Sequence, residues 1–124
     1  MRKTCLALLF AAVPLGAVSA QNMPLPQFLD KAAALEKKGA LALFSGDLKR
    51  LKKEVETSAS LLRQERLAAK AAGRKPAYCP PEKGSGLGSN EILAHFRSIP
   101  PAQRAQMRTI DGFRSLLVRK FPCR

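Results

Sequence analysis

Residue types that build common functional sites are scarce in this chain of 124 residues. It has no tryptophan, one tyrosine and one histidine, and only 9 acidic residues against 22 lysines and arginines. The lone histidine, His95, lacks the neighbouring histidines, cysteines or acids that a metal or catalytic site needs. No Gly-x-Ser-x-Gly motif, Cys/His pair or paired-carboxylate arrangement is visible. We therefore predict no enzymatic activity, no catalytic residues, no metal and no cofactor.

Long apolar runs are also scarce, and the main one is N-terminal. Two basic residues precede the run Leu6–Val13, which is too short to span a bilayer, and small residues follow it. We expect residues 1–20 to be a signal peptide, cleaved between Ala20 and Gln21. The alternative is an uncleaved membrane anchor. A cleaved chain would be periplasmic or secreted, without stable insertion into the membrane.

Cysteine is nearly absent from the mature chain. Because Cys5 lies in the predicted signal peptide, only Cys79 and Cys123 remain, in a chain bound for an oxidising compartment. Their separation of 44 residues excludes a CxxC redox motif. We predict one structural disulfide, which in the chain-entropy model stabilises the fold by about 4 kcal/mol. Two free reactive thiols are the alternative.

What the chain has in excess is positive charge. The formal net charge is +13, and loss of the two basic residues of the signal peptide leaves +11. This balance favours an acidic partner: a protein surface, an anionic envelope polymer or lipid headgroups. Simple solubility is the alternative. Nucleic acid is not expected as a partner, because the chain is predicted to be exported and offers few aromatic residues for base stacking.

Helical periodicity dominates the mature chain, and no alternating strand pattern appears. An extended lead-in over residues 21–25 precedes a first helix, whose apolar residues recur at helical spacing from Phe28 to Leu35. The apolar run at residues 40–44 predicts a buried turn or short helix. We predict an all-α fold, with residues 26–124 forming a single small domain of about four helices.

The longest predicted helix covers about residues 46–72 and is basic. Ser45 and Asp47 suit its N-terminus, and Gly73 suits its end. Its apolar stripe consists of Leu51, Val55, Ala59 and Leu62, with Leu61 and Leu67 alongside. Its basic face is a candidate site for an acidic partner, a solvated surface being the alternative. This basic face comprises Lys49, Arg50, Lys52, Lys53, Arg63, Arg66 and Lys70.

The cysteines bracket a predicted helical pair over residues 79–123. Ile92, Leu93 and Phe96 mark its first helix, and Ile110, Phe113, Leu116, Leu117 and Phe121 mark its second. Gly112 in the second helix predicts a close helix contact or a kink. For His95, the spacing indicates a pair with Glu91 or an exposed ring. The glycine-rich segment Gly84–Gly88 reads as a surface loop, with an anion-binding nest as the alternative.

This bracketed segment resembles the small periplasmic immunity proteins of type VI secretion, the amidase-neutralising kind. The resemblance covers residues 78–123: Tyr78-Cys79-Pro80-Pro81, then a helix ending at Ile99-Pro100, then a helix closing on Phe121-Pro122-Cys123. It implies a helical exported protein with one disulfide that binds and blocks a peptidoglycan-cleaving enzyme, often as a homodimer. The long basic helix has no counterpart in that pattern.

The predicted function is therefore that of an exported, non-enzymatic binding protein. The leading hypothesis is an immunity-type inhibitor whose target presents an acidic surface. The alternatives are a periplasmic stress chaperone and a cationic protein that binds anionic envelope polymers.

Overall fold

The computed structural model describes residues 23–84 and 86–124, which form an all-helical fold. The predicted signal peptide lies outside the described residues. The helices are α1 (Leu25–Lys38), a 3-10 helix (Gly39–Phe44), α2 (Gly46–Ala71), α3 (Ser89–Ser98), α4 (Pro101–Arg104) and α5 (Thr109–Lys120). The only β pairing among the described residues is an isolated bridge between Pro24 and Arg108. The predicted all-α class is confirmed.

The core forms where α1, α3 and α5 meet around the ring of Phe96. Phe96 is fully buried, and its ring contacts Phe28 and Phe113 edge-on, at centroid distances of 5.5 and 5.0 Å. Edge-to-face packing of this kind adds about 0.5–1.5 kcal/mol per pair beyond the burial of area. Gly112 makes this packing possible, because a Cβ there would lie 2.8 Å from Cε1 of Phe96. The close helix contact predicted from this glycine is confirmed.

Helix α2 begins and ends close to the predicted positions. The Ser45 hydroxyl accepts a hydrogen bond from the Asp47 backbone N–H at 3.2 Å, which caps the first turn. The helix ends before Gly73, whose φ of 69° favours glycine. The apolar stripe predicted for this helix is partly wrong, since Ala59 is exposed and Val55 is only half-buried. The buried positions of α2 are Leu51, Glu54, Ser58 and Leu62.

The start of the described chain is fixed by contacts with distant segments. The Met23 backbone N–H donates to the Glu54 carboxylate at 2.9 Å, and the Met23 carbonyl accepts from the Thr109 hydroxyl at 2.9 Å. The Leu25 N–H donates to the Met107 carbonyl at 3.0 Å. The end of the predicted lead-in is therefore held against both α2 and the start of α5.

The predicted disulfide between Cys79 and Cys123 is confirmed. The two Cα atoms lie 5.0 Å apart, and the Cys79 N–H donates to the Phe121 carbonyl at 2.8 Å. The bond joins the segment that follows α2 to the end of α5. Tyr78, next to the bond, is buried against the core.

The apolar run that connects α1 to α2 is exposed, which corrects the expectation of a buried turn. It forms the 3-10 helix, which packs on its sequence neighbours α1 and α2. The exposed fractions of Leu41, Leu43 and Phe44 are 72%, 72% and 88%. The helices on which the run packs, α1 and α2, leave these three side chains uncovered. We call these three side chains the apolar tip.

Candidate binding surface

The predicted basic face lies on the solvent side of α2. Lys49, Arg50, Lys52, Lys53, Arg63 and Lys70 are exposed, and Arg66 is half-buried. None of the seven forms an ion pair with a described residue. Their charges are therefore free to act on an approaching partner, since no carboxylate within 4 Å neutralises them.

The scarce acidic residues are largely engaged elsewhere. Five of them form ion pairs, and Glu54 is buried in the core. Four of these pairs join different helices at 2.8 to 3.0 Å: Lys31–Asp47, Arg97–Glu36, Arg114–Glu65 and Lys120–Glu91. More than half of the acidic residues are thus matched within the fold, while the seven cations of the basic face form no ion pair with a described residue.

Arg66 has a different role from the other residues of the basic face. Its guanidinium carbon lies 5.7 Å from the centroid of the Tyr78 ring, a cation–π contact. Its Nε is shielded from solvent and has no hydrogen-bond partner. Arg66 therefore packs on the residue that precedes the disulfide, while its charge lies at the edge of the basic face.

An apolar groove runs beside the basic face, between α2 and the segment that follows the disulfide. Its volume is about 540 Å³, and Arg63 and Arg66 stand at its edge. A second depression of about 560 Å³ shares Val55, Leu87 and Ile92 with the first. Its charged lining residues are Lys52 and the acidic Glu36 and Glu56. The apolar side chains of the first depression are Val55, Ala59, Tyr78, Leu87, Ile92, Phe113, Leu117 and Phe121. We call the two depressions together the α2 groove.

The sequence did not reveal this groove. It depends on Leu87, which lies in the glycine-rich loop and becomes half-buried against α2 and α3. A single leucine among glycines and serines was the only signal, and loop residues carry no periodicity from which contacts can be inferred.

The predicted surface loop around Gly84–Gly88 borders the α2 groove. A Cβ at Gly84, Gly86 or Gly88 would meet no atom within 4 Å, so these described positions are unpacked. Gly88 occupies the N-cap of α3, and Ser89 is the first helical residue. Among the described residues of this loop, the glycines are exposed and Leu87 packs against the core.

His95 does not pair with Glu91, and its ring is not fully exposed. Its Nε2 lies 2.7 Å from the Ser115 hydroxyl, and Glu91 accepts instead from Lys120 at 2.8 Å. The correction follows from the packing of α3 on α5, which turns the ring toward Ser115. Burial, and to a lesser degree the charge of Arg119, lowers the pKa of His95.

The His95–Ser115 contact is not arranged like a nucleophile and its base. The Ser115 hydroxyl donates to the Gly112 carbonyl at 2.8 Å, so its one hydrogen is directed away from the imidazole. His95 Nε2 is then the donor to Ser115, and the buried Nδ1 is left without a partner. A base for an activated serine would have to accept this hydroxyl hydrogen.

Within residues 23–84 and 86–124, no group of three or more histidine, cysteine or acidic side chains could hold a metal ion. None of the helices in the same part of the chain is long and apolar enough to cross a membrane. Protein-family models, curated proteins and solved structures yield no match to this chain.

Proposed function

We propose that this chain is an exported binding protein without catalytic activity, an immunity-type inhibitor of a peptidoglycan-cleaving enzyme. One observation carries the proposal: the unpaired cations of α2 run beside an apolar groove. Specific protein interfaces combine an apolar, water-excluding centre with a polar or charged rim. The α2 groove has the first property and the basic face supplies the second.

Export is part of the proposal. A disulfide persists in an oxidising compartment, and the Cys79–Cys123 bond fits a chain whose residues 1–20 act as a cleaved signal peptide. The target of such an inhibitor would be in the periplasm, where peptidoglycan is cleaved. The resemblance over residues 78–123 supports a cell-wall amidase as that target.

The partner should present an acidic surface around one apolar projection. The apolar side chain would enter the groove near Leu87, and carboxylates would face Lys52 and Arg63 at its edge. Complementary charge chiefly accelerates association and selects the partner. A homodimer formed through this face is disfavoured, because it would bring two sets of unpaired cations together.

The test is inhibition of peptidoglycan hydrolysis by the purified, disulfide-bonded chain. A secreted amidase encoded beside this chain is the first enzyme to assay, at enzyme-to-chain ratios around one to one. We expect stoichiometric inhibition, and the triple variant K49E/K52E/K53E should weaken it at least about tenfold. The matched control is K75E/K83E, which reverses two exposed lysines outside the basic face and should inhibit like the wild type.

Other outcomes separate the alternative functions. If the chain leaves the amidase active at every ratio, the immunity proposal is wrong. Suppression of aggregation of many unrelated clients, without a fixed stoichiometry, would indicate a chaperone. Binding to an anionic polymer that vanishes with added salt and leaves the amidase active would indicate a polymer-binding cationic protein.

A further inference from the structure

The apolar tip contains the most exposed large apolar side chains of the part of the chain that the structure describes. Leu41 and Phe44 lie one turn apart on the 3-10 helix and therefore share one side of it, and Leu43 is next to Phe44 in the chain. Clustered exposed apolar side chains usually mark a surface that meets a partner or a membrane.

Unpaired cations surround this tip on both sides in the chain. Lys37 and Lys38 end α1, Lys49 and Arg50 lie in the first turns of α2, and all four are exposed. None of these four forms an ion pair with a described residue. Residues 37–46 contain no acidic side chain.

The nearest acidic residues in the chain are already matched. Glu36 accepts two hydrogen bonds from Arg97, at 2.9 and 2.8 Å, and Asp47 accepts one from Lys31 at 2.8 Å. The local field around the tip is therefore positive. An apolar projection flanked by exposed cations is complementary to the boundary between lipid tails and anionic headgroups.

We propose that the apolar tip inserts reversibly into the surface of an anionic lipid bilayer. The side chains of Leu41, Leu43 and Phe44 would enter the boundary of the acyl chains, and Lys37 and Lys38 would remain among the headgroup phosphates. Lysine suits this position, because its stem tolerates apolar surroundings while the ammonium group stays in the polar layer. The chain would lie on the membrane and not cross it.

A second copy of this chain is a poorer occupant of the tip. Contact between two tips would bring the flanking cations of both copies together, and like charges at an interface oppose association. The patch is also small: a stable protein interface uses about 20–30 residues a side, and the tip offers three large apolar side chains. A lipid surface requires no such area, since it surrounds a projecting side chain.

The absence of tryptophan provides a direct test. In F44W the introduced indole is the only tryptophan, so its emission reports the environment of the tip alone. We expect a blue shift when vesicles containing phosphatidylglycerol are added, and none with pure phosphatidylcholine. The matched control is L67W on α2, where the native leucine is 47% exposed. Its emission should not shift with either vesicle.

Binding to the same vesicles is then measured by cosedimentation with two sets of substitutions. The variant L41S/L43S/F44S should bind about a hundredfold more weakly, because it loses the apolar insertion. The variant K37E/K38E should bind about tenfold more weakly or worse, and K75E/K83E like the wild type. Because all these side chains are exposed, thermal unfolding should be nearly unchanged, which separates lost binding from lost folding.

Three results would overturn the inference. One is an F44W spectrum that does not change with phosphatidylglycerol vesicles. A second is equal binding by L41S/L43S/F44S and the wild type, which would mean adsorption through charge alone. The third is self-association of the wild type that the serine variant abolishes, which would assign the tip to a second copy. Inhibition of the amidase should survive the serine substitutions, so the proposed function is tested separately.

Discussion

Glu54 is a carboxylate that the fold places among apolar side chains. It is 2% exposed, one oxygen accepts from the Met23 N–H, and the other has no hydrogen-bond partner. Burial raises the pKa of Glu54, and the bond from Met23 offsets only part of that effect. A buried charged group without full hydrogen bonding costs stability, so the ionised form of Glu54 lowers the stability of the fold.

The pH dependence of stability should report this cost. Because the folded pKa is raised, Glu54 contributes stability below its unfolded pKa, near 4.5, and loses it as pH rises through the folded value. The variant E54Q keeps an acceptor for the Met23 N–H but carries no charge. We therefore expect the stability of E54Q relative to the wild type to be greater at pH 7 than at pH 4. Urea unfolding at both pH values measures this, with E56Q, an exposed site, as the control. If the free energies of unfolding of E54Q and the wild type differ by the same amount at both pH values, the prediction is contradicted.

The titration of His95 should change stability with pH in the direction opposite to that of Glu54. Its folded pKa is lowered, so protonation is opposed by burial and by Arg119, and stability is lost as pH falls through the unfolded pKa near 6.5. Glu91 and Lys120 also line this site. We expect the melting temperature of the wild type to fall from pH 7.5 to pH 5.5 by more than that of H95Q. Parallel decreases in the two proteins would show that another group titrates.

At the scale of elements, the ends of α2 were predictable from the sequence and its buried side was not. Ser45, Asp47 and Gly73 mark the ends of α2, because caps act locally on backbone groups. Which side of α2 is buried depends on the positions of α1 and α5, so a sequence pattern favoured Ala59 and missed Glu54 and Ser58. The exposure of the apolar tip and the existence of the α2 groove likewise depend on how the helices pack together. Neither feature can therefore be inferred from a local sequence pattern.

The contact between α3 and α5 at Gly112 gives a prediction at this scale. In G112A the new methyl group would lie 2.8 Å from Cε1 of Phe96, and the ring is fully buried. Overpacking costs typically 1–3 kcal/mol, of which the better helix propensity of alanine offsets up to about 1 kcal/mol. We expect the free energy of unfolding to fall by about 1–2 kcal/mol in urea. G86A, at an open loop position, is the control; a neutral or stabilising G112A would show that Phe96 moves freely.

For the whole molecule, the disulfide ties the end of the chain to its middle. The loop between Cys79 and Cys123 contains α3, α4 and α5, and so holds two of the three buried phenylalanines, Phe96 and Phe113. The cysteines and their pairing were predictable from the count alone, since only two remain after the predicted signal peptide.

Loss of this bond should weaken the entire fold. In C79S/C123S we expect a decrease of about 4 kcal/mol in the free energy of unfolding, a large part of the 5–15 kcal/mol typical of native proteins. Urea unfolding of the variant, and of the wild type with and without reductant, measures it. Equal stability of the oxidised and reduced proteins would contradict this expectation.

The contacts of Met23 with Thr109 have a consequence for the timing of folding. A chain synthesised from its N-terminus presents α1 and α2 first, yet Phe28 packs on Phe96, and the Met23 carbonyl has its partner 86 residues further on. Contacts of such high sequence separation form only when both ends are present. The fragment 21–72 should therefore show little cooperative structure by circular dichroism. The cooperative fold therefore requires that α5, the last helix, is present.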